Sequence, residues 1–283
     1  MTEAVGVVGG GIMGAGIAEV AARSGCSVVL REIDEAACAA TRERITASLQ
    51  RGVAAGKIST DELDAVLHRL TFTTDLNDLA DRNVVVEAVV EDEHEKMKVF
   101  QALAKIVDNP DAVLASNTSS IPIMKLAAAT DTPERVIGIH FFNPVPVLPL
   151  VELIPSLLTS DATLERAQSF ADHLGKQSVV CKDRAGFIVN ALLIPYLLAA
   201  IRMVESGVAT VEDIDTAMKA GCAYPMGPLA LIDLIGLDTT AAVAQSMYAE
   251  FKEQLYAPPP LLLRMVEAGL LGRKRGRGFY DYG

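Results

Sequence analysis

The chain has 283 residues, 51% of them hydrophobic and 22% charged, which excludes a disordered chain and suffices for one large domain or two unequal ones. A formal net charge of −11 argues against nucleic-acid binding and requires any anionic ligand to be held by local basic groups. The four cysteines, Cys26, Cys38, Cys181 and Cys222, form no CxxC pair and no zinc spacing, so isolated thiols in a reducing cytoplasm are expected, with no metal site.

The first strand is expected at 4–8, so close to Met1 that no secretory signal is expected. It runs into Gly9-Gly10-Gly11-Ile12-Met13-Gly14, a GxGxxG pattern followed by an apolar-periodic helix at 13–23. Gly9 permits a tight turn, Gly11 lets backbone approach a pyrophosphate, and Gly14 lets the helix close on the sheet. The phosphates would then meet unpaired N–H groups at the helix N-terminus. The second strand, 27–31, ends at Glu32, where a carboxylate can accept from both ribose hydroxyls. Together these features read as dinucleotide binding. Glu32 repels a 2′-phosphate and favours NAD, while its neighbour Arg31 keeps NADP open.

Residues 34–68 are too many for a single crossover and suggest an inserted helical hairpin. Its first arm runs over 34–51, the turn lies near 52–60, and Ser59 or Thr60 caps the second arm. Strands at 70–73, 83–88, 113–116, 136–140, 150–154 and 177–181 follow, with helices at 92–107 and 164–174 between them. That rhythm predicts an α/β fold, a Rossmann-type doubly wound and largely parallel sheet. Beyond a polar joint at 182–186 strand signals disappear, and helices are expected at 187–205, 211–220, 229–235, 239–255 and 260–267. The expected division is a dinucleotide-binding domain over 1–182 and a smaller all-α domain over 183–283. The uncharged run 185–201 is broken by Asn190 and Pro195 and suits a buried helix better than a membrane span. Apolar helices at 187–201 and 229–237 suit either an intrachain core or the interface of a homodimer.

Of the four histidines, His68, His94 and His173 fall in segments that read as exposed amphipathic helix. His140 instead ends an apolar strand, at the carboxyl edge where open α/β sheets place their ligand crevice. Glu152 is a lone carboxylate in the apolar strand Leu150-Val151-Glu152-Leu153-Ile154 and needs a partner if buried. His140 is the economical choice, since a carboxylate steadies the imidazolium formed when the ring accepts a proton. A purely structural pair, or a Glu152 that reaches an arginine, is the alternative. Ser119 follows the strand 113–116 and could bond a substrate oxygen or cap the helix after Pro122. Asn190 is the one amide in an apolar run, suited to developing oxygen charge or simply to packing.

Ser116-Asn117-Thr118-Ser119-Ser120, His140-Phe141-Phe142-Asn143-Pro144, Val151-Glu152 and Gly186-Phe187-Ile188-Val189-Asn190 occur in the order and spacing of the L-3-hydroxyacyl-CoA dehydrogenases. Tyr224-Pro225-Met226-Gly227-Pro228 and Gly236-Leu237-Asp238-Thr239-Thr240 extend the resemblance over essentially the whole chain. It is nearest to the stand-alone members acting on 3-hydroxybutyryl-CoA. The resemblance implies reversible NAD(P)-dependent oxidation of an L-3-hydroxyacyl-CoA thioester; the charge and the broken apolar run lead to no nucleic-acid or membrane partner being expected. It implies His140 as general base, Glu152 as its helper, and Ser119 and Asn190 as hydrogen-bond donors to the reacting oxygen or thioester. By the same route Glu32, Glu91, Lys96, Asn143 and Lys274 would contact the cofactor, and Ser48 and Lys57 would meet CoA. Arg42, Arg44 and Arg51 add basic charge to the hairpin. Ala185 and Ala191 depart from the usual Pro and Arg, and the tail Arg273-Lys274-Arg275-Gly276-Arg277-Gly278 suits a flexible flap near phosphates or a solvated end.

Overall fold

The computed structural model describes residues 3–283. The chain divides into two compact units after Arg184. Asp183 belongs to the first unit for a physical reason: its carboxylate accepts from the N–H groups of Ile123 at 2.9 Å and Met124 at 2.7 Å.

The first unit is built on an eight-stranded sheet with β1 (Ala4–Val8), β2 (Ser27–Arg31), β3 (Leu70–Thr73), β4 (Val84–Glu87), β5 (Val113–Ser116), β6 (Val136–Phe141), β7 (Leu150–Pro155) and β8 (Gln177–Val180) in the order 3-2-1-4-5-6-7-8. The first six strands pair in parallel, β7 runs antiparallel to β6, and β8 is parallel to β7. Connections leave β1 in one direction through β2 and β3 and in the other from β4 onward. A ligand crevice therefore opens at the carboxyl ends of β1 and β4. Strands β4, β5 and β6 are buried along their whole length, as a parallel sheet covered on both faces requires.

The helices of this unit are α1 (Ile12–Arg23), α2 (Glu35–Ala54), α3 (Thr60–His68), α4 (Glu93–Ile106), α5 (Ile123–Ala128) and α6 (Asp161–His173). Helices α2 and α3 form the expected hairpin. Ser59, not Thr60, is the cap of α3: its hydroxyl accepts from the Glu62 N–H and the Glu62 side chain accepts from the Ser59 N–H. His68, His94 and His173 are exposed, as their helical positions suggested.

The second unit is helical: α7 (Val189–Glu205), α8 (Val211–Cys222), α9 (Pro228–Ile235), α10 (Leu237–Phe251) and α11 (Pro260–Glu267). Leu197, Leu198, Ile201, Leu229, Ile232 and Met247 lie at its centre. Helix α7 starts two residues later than the periodicity suggested, because Gly186 (φ 83°) and Phe187 (φ 49°) both turn left-handed. Among the described residues no single helix is long and apolar enough to cross a membrane.

The basic residues Arg273, Lys274, Arg275 and Arg277 are exposed, as the solvated reading has them, while the segment that follows them is anchored. Asp233, 1% exposed, accepts from the backbone of Phe279 and Tyr280 and from the Tyr282 hydroxyl, all within 3.0 Å. An amide at this position would turn a donor toward those N–H groups. Asp233→Asn should therefore cost about 2–3 kcal/mol of stability. A thermal melt would show the loss, and trypsin cleavage at Arg273–Arg275 the released tail.

Candidate active site

Strand β1 delivers the chain into the glycine turn at the open crevice. Gly9 sits at φ 93°, with the position of a Cβ only 2.8 Å from the Ala88 carbonyl oxygen. A Cβ on Gly14 would lie 1.8 Å from the Gly9 carbonyl oxygen, so α1 packs on the turn at a distance only glycine allows. Gly11 faces open space, and no side chain caps the first N–H groups of α1. These amides are oriented toward an anion at the turn. Gly14→Ala is expected to abolish measurable NADH binding, which a fluorescence titration reads directly; normal affinity would refute this packing.

Glu32 crosses from the end of β2 to the turn, where its Oε1 accepts from the Gly10 N–H at 2.7 Å. Arg44, considered above as charge on the hairpin, instead donates to the Gly10 carbonyl at 2.6 Å, and Thr41 donates to it at 3.0 Å. Arg31 donates through Nε to the Thr74 carbonyl at 3.3 Å, and Arg42 stacks over the Phe72 ring. Ile12, Ile33 and Val90 stand exposed just beyond the carboxyl ends of β1, β2 and β4. Sequence reasoning missed these apolar side chains, which offer flat contact area for an aromatic base.

The end of β4 carries a charge cluster that sequence reasoning also half missed. Glu87 is fully buried, with Oε1 2.6 Å from the Lys96 ammonium and Oε2 accepting from Ser116 Oγ at 2.7 Å. Lys96, expected at the cofactor, is 1% exposed and also pairs with Glu91 at 3.3 Å. Glu91 Oε1 in turn accepts from the Thr118 hydroxyl, the Ser120 hydroxyl and the N–H groups of Ser119 and Ser120. Burial pushes the Glu91 carboxyl up, but Lys96 and these donors outweigh it and hold the group below the usual carboxylate range.

His140 and Glu152 face each other directly across the antiparallel β6–β7 pair. The imidazole Nδ1 lies 2.7 Å from Glu152 Oε2, with the histidine 6% exposed and the glutamate fully buried. A carboxylate only accepts, so Nδ1 is the donor and the neutral ring keeps its lone pair on Nε2. Asn117 Oδ1 accepts from the Phe141 N–H at 2.9 Å and ties the end of β6 to the loop after β5. The Phe142 ring stands 4.6 Å from the imidazole. Asn143 is exposed in the loop that follows. Ser119 is half-buried, and the capping role open to it is filled by others. Thr118 Oγ1 accepts from Ser120 and Ile121, and Asp183 takes the first amides of α5. The Ser119 hydroxyl makes no hydrogen bond among the described residues.

Ser48 lies on α2 and Lys57 in the turn between α2 and α3. Burial pushes the Glu19 carboxyl up, while Ser48 and the nearby Arg23 and Arg51 pull it down. Lys57 lines a cleft of about 540 Å³ with Arg23, Glu62, Arg69 and Lys176, and Ser48 is absent from its walls. In the second unit, Asn190 is half-buried in the first turn of α7, and Lys274 holds both oxygens of Asp238 at 2.6 and 2.7 Å. Burial pushes the Asp238 carboxyl up, but Lys274 more than offsets it and leaves the group below its usual range.

The sequence matches the model of the 3-hydroxyacyl-CoA dehydrogenase NAD binding domain over residues 4–184 and that of the 3-hydroxyacyl-CoA dehydrogenase C-terminal domain over residues 186–282. The chain belongs to the 3-hydroxyacyl-CoA dehydrogenase family. A 3-hydroxybutyryl-CoA dehydrogenase of Mycobacterium tuberculosis is 63% identical over 281 residues, covering 99% of this chain and 98% of the relative. The human mitochondrial hydroxyacyl-coenzyme A dehydrogenase is 44% identical over 286 residues, covering 98% of this chain and 90% of the human one. The crystal structure of FadB2 from M. tuberculosis superposes with a TM-score of 0.98 at 63% identity, covering 99% of this chain and 98% of that one. That of (S)-3-hydroxybutyryl-CoA dehydrogenase PaaH1 from Ralstonia eutropha does so with a TM-score of 0.95 at 43% identity, covering 100% of each chain.

NAD is the cofactor of 3-hydroxyacyl-CoA dehydrogenases, and the first unit fits it. The uncapped amides of α1 suit a diphosphate, the Glu32 carboxylate suits ribose hydroxyls, and open space lies over Gly11.

Proposed function

We propose that this 3-hydroxyacyl-CoA dehydrogenase interconverts an L-3-hydroxyacyl-CoA and the 3-ketoacyl-CoA, with 3-hydroxybutyryl-CoA as its substrate. The observation that carries this reading is the buried His140–Glu152 pair at the carboxyl edge of the sheet. NAD, when bound, supplies the hydride acceptor. His140 takes the 3-hydroxyl proton at Nε2 as the C3–H bond gives up its hydride, and the C3–O bond becomes the ketone. Glu152 faces the ring's positive charge while it lasts and fixes the tautomer throughout. In reduction the same proton returns from Nε2 to the substrate oxygen.

Ser119 presents its unused hydroxyl to that oxygen, and Asn190 serves as a side-chain donor to the oxygen or the thioester. Glu32 holds the adenosine ribose, and Glu91 and Asn143 border the same crevice. Lys274 is a further cation for the cofactor, and Lys57 and Ser48 meet different parts of CoA. The first of the two CoA contacts is supported by its basic cleft.

We assign the protein to the cytoplasm as a homodimer. The dimer reading is supported by exposed Leu192 and Leu234 and by an apolar groove of about 600 Å³ that includes Ile188, Leu192, Tyr196, Tyr224 and Met226. Oxidation of NADH by acetoacetyl-CoA, run beside NADPH and beside free acetoacetate, tests the whole reading. Turnover requires the thioester and favours NADH if it holds; equal use of acetoacetate would overturn the CoA assignment.

A further inference from the structure

Glu87 takes no part in the reaction above, yet it is a fully buried carboxylate whose two oxygens are both engaged. A buried charge that served stability alone would be replaceable by a well-packed apolar side chain, so its particular contacts call for another account. They lead in two directions that converge. Through Oε2, Glu87 holds Ser116 Oγ, which accepts from the Thr118 N–H at 3.2 Å. Through Oε1 it holds Lys96 at 2.6 Å, Lys96 pairs with Glu91 at 3.3 Å, and Glu91 accepts from the Ser119 N–H at 3.0 Å. Both routes end on the backbone of residues 118–120, the first on the Thr118 N–H and the second on the N–H groups of Ser119 and Ser120.

We infer that Glu87 is a positioning residue: through Ser116 on one side and Lys96 and Glu91 on the other, it fixes the turn that aims the Ser119 hydroxyl at the substrate oxygen. The inference rests on the proposed role of Ser119 in the reaction. It also changes the part given to Lys96 and Glu91. The Lys96 ammonium is enclosed between two carboxylates, and one Glu91 oxygen is saturated by donors of the substrate-side turn. They then hold the turn that carries Ser119 as well as standing at the cofactor crevice. Glu87 sits opposite Val8 in the register, but its link to β1 is the Ala88 N–H on the Val8 carbonyl, a backbone bond that no side-chain change removes.

Glu87→Gln keeps size and polarity but leaves Lys96 without its inner counter-charge. A displacement of the order of 1 Å at Ser119 should lower kcat for acetoacetyl-CoA reduction by about 10²-fold. The Kd for NADH should stay close to that of the parent. In a Ser119→Ala background the same change should cost little more, because the group it positions is gone. Additive losses in that double variant, or a Kd for NADH that rises in step with the loss of kcat, would overturn the inference. Ser116→Ala, which removes the partner of Glu87 Oε2 outside the cofactor and substrate residues, carries the same cycle should Glu87→Gln fail to fold, with the same outcomes deciding. Full turnover by Ser119→Ala would instead remove Ser119 from the proposed reaction, and the relay's purpose with it. An impaired Ser119→Ala with additive Glu87→Gln overturns the relay alone.

Discussion

His140→Gln is expected to lower kcat by about 10²–10⁴-fold in both directions, the range set by loss of a positioned general base. The Kd for NADH should be unchanged, because the imidazole lies on β6 while the dinucleotide turn lies between β1 and β4. Glutamine fills similar space and can still reach Glu152 with its amide, so the buried carboxylate keeps a donor and the fold is preserved. What disappears is the ring nitrogen that the proposed reaction uses to take the substrate proton. Single-turnover absorbance of NADH after mixing with acetoacetyl-CoA separates the chemical step from binding and release. Turnover near the parental rate in a folded variant would end the assignment of His140 as base.

Glu152→Gln should lower kcat less, by about 10–100-fold, as expected when a hydrogen-bonded partner that orients a reactive group is changed. The base survives, but an amide offers no counter-charge to the imidazolium, and it can turn its donor to Nδ1 and force the proton onto Nε2. Full burial makes the substitution costly to stability as well, by about 1–3 kcal/mol for a partner left poorly matched. The two effects are separable. Rates measured well below the melting transition should remain depressed even where the variant is fully folded. If the loss of rate merely followed the loss of folded protein, the pair would be structural and the catalytic reading of Glu152 would fall.

The elements that were legible in the sequence are those with a local signal. The GxGxxG turn, the alternation of apolar runs with helices and the hairpin insertion were each visible within a few tens of residues. Even His140 and Glu152 come twelve apart, at matched positions of two strands. Glu87 was overlooked although it carries the signal that identified Glu152, a single carboxylate in an apolar strand, here Val84-Val85-Val86-Glu87. The bond made by Arg44 was not legible, because a basic residue on an amphipathic helix gives no sign of its partner, the Gly10 carbonyl 34 residues earlier. The anchoring of the segment after the basic run was not legible, because Phe279, Tyr280 and Tyr282 give no sign of where they bond. Their partner Asp233 lies more than forty residues away, inside an otherwise apolar helix.

By itself, the sequence determined the α/β unit, the all-α unit and the dinucleotide turn, and it singled out His140 and Glu152 as candidates. Each of these follows from periodicity or from a residue type that only one environment accommodates. The tertiary structure alone decided how charges distant in the chain are shared. It put Lys96 between Glu87 and Glu91, released the Ser119 hydroxyl from capping, and bound the C-terminal strap to Asp233. The physical reason is that a buried charge must find a partner but its type does not say which one. The choice is made by whatever the packed strands bring within hydrogen-bond reach.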